Sequence, residues 1–185
     1  KQWPIGLFPD QKRNIPLELQ NAPGRSLCYY GDAGWGKLVQ SGKYQEGHFS
    51  NELAKAAAHL IRDMWQPNPF PGWVTAIPST RYPKLVAEFA RRLADSLQIP
   101  FYPVIDRIRE APEQKTMQNS SKQAHNVINT IRIVQTISHE PVLLVDDIID
   151  SGWTLTMAGY LLKKQGSGQV YPFTLARATS RNANG

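Results

Sequence analysis

From Asn51 onward the apolar positions settle into a readable rhythm. Leu53, Ala57, Leu60, Ile61 and Met64 fall at helical spacing and predict an amphipathic helix over 51–65, ended by Pro67 and Pro69. Trp73 to Pro78 is a short apolar run that suits a buried strand. A turn through Ser79, Thr80, Arg81 and Tyr82 then leads into a second helix over about 83–97, opened by Pro83. Phe101 to Ile105 and Ile131 to Val134 read as further short strands. Between them, 107–125 is polar and lacks an apolar face, which predicts a loop with a short helical piece near 121–127. The pattern closes with a strand at 141–145, a helix over about 154–165 stopped by Gly166, and a strand at 170–176.

Strands alternating with helices imply an α/β fold, with a mostly parallel central sheet and helices on both faces. The first fifty residues break that rhythm. Pro4, Pro9, Pro16, Pro23, Gly24, Gly31, Gly34 and Gly36 punctuate them, and they read as an extended arm with turns and a hairpin. The expected organisation is therefore an N-terminal arm with hood elements over 1–50 and one α/β domain over 51–185.

Composition narrows the class. At 185 residues, 41% hydrophobic and 19% charged, the chain is globular in character and long enough to bury a core without staples. The single cysteine, Cys28, excludes an internal disulfide framework and zinc sites built on paired thiolates, and points to a reducing, cytoplasmic setting. Its longest aliphatic run, Val142 to Val145, is far short of the roughly 20 residues of a membrane helix, so no membrane partner is expected. A net charge of +6 suits an anionic partner without specifying one. The opening Lys1-Gln2-Trp3-Pro4 has no initiator methionine, as in a part of a longer protein or a processed N-terminus.

The chemistry concentrates in Val142-Leu143-Leu144-Val145-Asp146-Asp147-Ile148-Ile149-Asp150-Ser151-Gly152-Trp153-Thr154-Leu155. A buried strand delivers two adjacent acids to the carboxyl edge of a parallel sheet, where open α/β sheets bind ligands. Ser151, Gly152 and Thr154 then lead into a helix whose first N–H groups lack intrahelical partners, an arrangement suited to a phosphate. The acids cannot face that phosphate and are expected to meet ribose hydroxyls or a metal ion.

This stretch resembles the signature of the type I phosphoribosyltransferase family, with Ser151 where threonine is more usual. The resemblance implies that 150–154 bind the 5-phosphate of phosphoribosyl pyrophosphate. It further implies that Asp146 and Asp147 hold the ribose hydroxyls, and that Asp150 acts as base in an active transferase. Ser79, Thr80, Arg81 and Tyr82 occupy the place of the family's pyrophosphate loop, and a plain surface turn is the alternative. Arg107, Arg109, Gln114, Lys115, Lys122 and Asn126 occupy the place of the hood loop, with a solvated charge run as the alternative. Arg177 falls near a base-reading position of the purine-salvage members.

Further positions, among them Pro23 to Leu27, Gly34-Trp35-Gly36 and Trp153, make the chain similar to the ComF-like branch. Within that branch it is similar to the phosphoribosyltransferase-like C-terminal domains of bacterial RecQ-family DNA helicases. That likeness implies a covalently attached helicase core and a DNA-binding role in DNA repair, in which the pocket grips the 3' end of single-stranded DNA. The phosphate would lie on 151–154 and the 3'-hydroxyl against Asp146 or Asp147, with no cofactor needed. Tyr82, Trp153 and Trp35 are candidate stacking platforms, with packed residues as the commoner alternative. Lys163, Lys164, Arg177 and Arg181, in a tail that has no acid after Asp150, would carry the strand. The alternatives are an active transferase using phosphoribosyl pyrophosphate and magnesium, or a non-catalytic sensor of that metabolite.

Overall fold

A computed structural model describes residues 15–79, 81–107 and 130–179. Its centre is a sheet of four parallel strands. β1 is Arg25–Tyr29, β2 is Trp73–Ala76, β5 is Val142–Ile149 and β6 is Val170–Arg177, arranged β1-β6-β5-β2. Two short strands, β3 (Ile105–Arg107) and β4 (Ile131–Ile133), form a separate antiparallel ribbon. The helices are α1 (Trp35–Ser41), α2 (Asn51–His59), α3 (Leu85–Leu97) and α4 (Trp153–Lys164). This is the expected α/β architecture of a parallel sheet flanked by helices.

Strand alternation decides what covers each face. Leu143 and Val145 of β5 enter a core with Phe49, Leu53, Ala57, Phe89 and Leu93 from the α2 and α3 side. Val142 and Leu144 face the other way and pack with Leu155, Ala158 and Leu162 of α4. Both faces of β5 are thus covered, which is why its first half is uninterrupted Val and Leu. α3 forms because Leu85, Phe89, Leu93 and Leu97 repeat every four residues on one buried stripe. Phe89 meets Phe49 edge to face, with ring centroids 5.7 Å apart.

Three elements depart from the sequence expectation. The segment at 25–29 is a parallel edge strand beside β6, with Arg25 opposite Phe173 and Tyr29 opposite Arg177, and it belongs to the central sheet where an arm and a hairpin were expected. Its partner lies at the far end of the described chain, beyond the reach of local pattern. The helix from Asn51 changes at Leu60 into a π-helical turn, Leu60–Trp65, and the wider winding turns Met64 outward to 72% exposure. The strand expected at 101–105 is reduced to a parallel bridge between Phe101 and Val74, and the ribbon strand begins only at Ile105. The helical piece expected near 121–127 lies outside the described residues. Among the described residues no helix is long and apolar enough to cross a membrane.

Candidate functional site

The topology itself opens a crevice. After β2, α3 returns the chain to Phe101 on the outer side of β2. After β5, α4 returns it to β6 on the opposite side of β5. The crossovers diverge between β2 and β5, and such a switch point leaves a gap at the carboxyl ends of the two strands. β2 stops opposite Val145, and Ile77 donates its N–H to the Val145 carbonyl at 2.9 Å. From Asp146 onward β5 is paired only with β6 and its β2 flank is open.

Two acids stand at the head of this gap, and alternation separates them. Asp147 points to the α1–α2 side, where its Oδ2 lies 2.7 Å from Lys43 Nζ. That oxygen receives no aligned hydrogen bond, so the ammonium is what balances it, while Oδ1 accepts the Ile148 N–H at 2.7 Å. Asp146 follows the parity of Val142 and Leu144 toward the β3–β4 side, where the Arg107 guanidinium acts on it. Its Oδ1 accepts the Asp147 N–H at 2.8 Å. Burial, and next the negative charge of Asp147, push the Asp146 carboxyl up to about 7, against the pull of that N–H, Arg107 and Lys43. Arg107 is itself held near the gap by donating to the Pro78 carbonyl at 3.3 Å.

The loop after β5 is built for close approach. Asp150 and Ser151 are exposed, and Gly152 takes φ 76°, a left-handed conformation that a residue with a Cβ resists, as it starts α4. Having no side chain, Gly152 makes no side-chain cap at the start of α4, where the helix dipole presents its positive end. Thr156 fastens the turn from behind, its Oγ1 donating to the Gly152 carbonyl at 2.8 Å. Thr154 is half-buried in the same turn.

Trp153 departs from its expected place. Its side chain is 6% exposed and packs with Ile15, Met157 and Tyr160, so it anchors the helix and offers no ring to a ligand. Tyr82 is also partly covered, packing on the α2–α3 core with Arg81 5.3 Å over its ring, while Trp35 keeps 40% exposure in a hollow beside α2. Ser79 Oγ accepts the Tyr82 N–H at 3.2 Å and so shapes the turn at the end of β2. Thr80, Arg109, Gln114, Lys115, Lys122, Asn126 and Arg181 lie outside the described residues.

Beside the loop a groove of about 680 Å³ runs over the part of the sheet that α4 leaves bare. Ser26 and Thr174 form its floor, sharing a hydrogen bond of 2.7 Å between their hydroxyls, and Asp150, Ser151 and Gly152 stand at its wall with Arg25 and Arg177. Two participants escaped sequence reasoning. Lys43 carries no motif signal, being one lysine in a Gly-rich turn, and Ser26 belongs to a strand that local pattern did not reveal.

The family profile described as phosphoribosyl transferase domain matches residues 86–183, more than half the chain. A ribose-phosphate pyrophosphokinase of Synechococcus elongatus is 40% identical over 50 residues, covering 27% of this chain and 15% of that protein. The Staphylococcus aureus enzyme of the same name is 35% identical over 82 residues, 44% of this chain and 21% of its own length. The matches therefore span about a fifth or less of these curated relatives. Among solved structures, a hypothetical protein from Neisseria gonorrhoeae with bound ppGpp superposes with a TM-score of 0.48 at 21% identity, covering 77% of this chain and 73% of that one. Adenine phosphoribosyltransferase from Saccharomyces cerevisiae gives 0.45 at 17%, covering 69% and 66%.

Proposed function

Since the chain belongs to the phosphoribosyl transferase domain family, we propose that it binds phosphoribosyl pyrophosphate in the β2–β5 gap and transfers the phosphoribosyl group to an acceptor. The observation that carries this reading is the pairing of an uncapped α4 N-terminus, entered through left-handed Gly152, with the Asp146 carboxyl at the open flank of β5. The 5-phosphate suits the loop of Ser151, Gly152 and Thr154. The ribose hydroxyls suit Asp146, and the pyrophosphate suits the Ser79–Tyr82 turn beneath Arg107. In the transfer the bond from C1 to pyrophosphate breaks, pyrophosphate leaves with the bonding pair, and the acceptor bonds to C1. Asp150, exposed beside the loop, would take the proton that the acceptor gives up. Among the described residues no three His, Cys, Asp or Glu side chains converge on one point, so magnesium would arrive chelated to the pyrophosphate as part of the substrate.

The test is calorimetric titration with phosphoribosyl pyrophosphate and magnesium, followed by measurement of pyrophosphate release in the presence of nucleobase acceptors. Saturable binding that Asp146→Asn weakens at least tenfold supports the reading. Silence in the titration overturns it, and binding without release reduces the protein to a sensor of the metabolite.

One observation favours a second reading, the groove that leads from the loop between Arg25 and Arg177. A strand whose terminal nucleotide sits in the gap would have its upstream phosphates there, with salt-dependent affinity. In this reading the chain is the end-binding module of a RecQ-like helicase and recognises the 3' end of single-stranded DNA. Fluorescence anisotropy with 3'-hydroxyl and 3'-phosphate oligonucleotides separates the two readings. Equal affinity for both ends removes the DNA end from consideration.

A further inference from the structure

The turn Gly42–Glu46 sends one cation into the site from outside the family motif. The Lys43 side chain is 18% exposed, and its ammonium lies 2.7 Å from Asp147 Oδ2. Chain geometry holds it there. Gly42 is packed so closely that a Cβ would sit 2.7 Å from the His48 carbonyl oxygen and 2.9 Å from the Phe49 ring, which fixes the path of the turn. Withdrawing a lysine from water and ordering its long side chain both cost free energy. Such a placement calls for a compensating role.

Each acid accepts one backbone hydrogen bond at Oδ1, and the two differ in what meets the second oxygen. Both oxygens of Asp147 are engaged, Oδ1 by the Ile148 N–H and Oδ2 by Lys43. Asp146 has one oxygen engaged by the Asp147 N–H, and among the described residues its other oxygen accepts no hydrogen bond. Resting on the phosphoribosyl reading, we propose that Lys43 is a positioning residue that divides the acid pair: it fixes Asp147 as an occupied carboxylate on the α1–α2 side and leaves Asp146 to receive the ribose hydroxyls. Lys43 also offsets the negative charge of Asp147, which would otherwise hold a proton on Asp146 when the hydroxyls need an acceptor. Among the described residues the charged groups that act on Asp146 are Asp147 on β5, Arg107 on β3 and Lys43 in the turn, two cations against one further anion.

The test titrates phosphoribosyl pyrophosphate with magnesium by calorimetry between about pH 5.5 and 8.5, a range that brackets ordinary carboxylate and histidine titration. The proteins are wild type, Lys43→Met, Lys43→Arg, Asp147→Asn and the Lys43→Met/Asp147→Asn double variant. The ligand's own titration is common to all of them and cancels. If Asp146 must be ionised, affinity rises with pH through its titration. Lys43→Met should then move the midpoint upward by about half a unit or more, and Lys43→Arg should restore it. Asp147→Asn should move it downward while binding persists, and the double variant should lie near wild type.

Should Lys43→Met fail to fold, Lys43→Arg and the double variant, which removes both members of the ion pair together, decide the matter. Parallel curves for all variants, or loss of binding in Asp147→Asn as complete as in Asp146→Asn, overturn the proposal. A wild-type protein silent at every pH overturns the phosphoribosyl reading and the role of Lys43 with it. Binding with parallel curves overturns the role of Lys43 alone.

Discussion

The two faces of the central sheet are made by the same four strands and are put to different uses. On the α2–α3 face every strand contributes to one apolar layer, from Val74 and Ala76 through Leu143 and Val145 to Phe173 and Leu175, all nearly sealed from solvent. On the opposite face α4 covers Val142, Leu144 and Val170 but stops short of β1, where Ser26 and Thr174 satisfy one another under an open groove. The lesson is one of allocation. Helices α1, α2 and α3 close one face, and the single helix on the other leaves the Ser26–Thr174 pair under an open groove next to the phosphate-type loop.

The largest test of this contrast is a core truncation on the closed face. Phe89→Ala should lower stability by about 3–5 kcal/mol in a urea melt, because the ring is fully buried and its neighbours cannot collapse into the space. A loss below about 1 kcal/mol would mean that this face is not the stabilising one. An intermediate effect is expected at Asp146, where the sign follows from linkage. The folded carboxyl titrates near 7 against 3.8 for its free value, so the folded chain keeps a proton that the unfolded chain has released between those values. Stability from this group therefore declines as pH rises through that window. Asp146→Asn should melt several degrees above wild type at pH 8, with the difference shrinking toward pH 4. Melting curves that differ by the same amount at both pH values would contradict the raised carboxyl.

The smallest effect belongs to the groove floor. Ser26→Ala should cost about 0.5–1.5 kcal/mol by leaving the Thr174 hydroxyl without its partner, while Ser26→Ala with Thr174→Val should recover most of the loss. Additive losses in chemical denaturation would show that the two hydroxyls do not act as a pair.

What could be read in advance tracks distance along the chain. β5, its loop and α4 were legible because strand, acids, glycine and helix follow one another in a single stretch and each residue type has a local reason. β1 was not, since its hydrogen-bonding partner Phe173 lies 148 positions beyond Arg25 and its own five residues alternate weakly. The same limit hid Lys43, whose meaning comes from a carboxylate more than a hundred residues away. Trp153 was misplaced for the opposite reason. It sits inside the motif, yet the first turn of α4 points it back at Ile15 and Tyr160, and a linear pattern does not say which way a side chain leaves a helix.

The order β1-β6-β5-β2 has a consequence for how the molecule is made. β6, the last described strand to be synthesised, belongs between two strands that precede it, and β1 touches the sheet only through it. A chain emerging from the ribosome thus carries β1 without its sheet partner until β6 is made, its backbone groups open to any passing strand. The eight residues of β6 act as a keystone, and β1 joins the sheet only when they arrive.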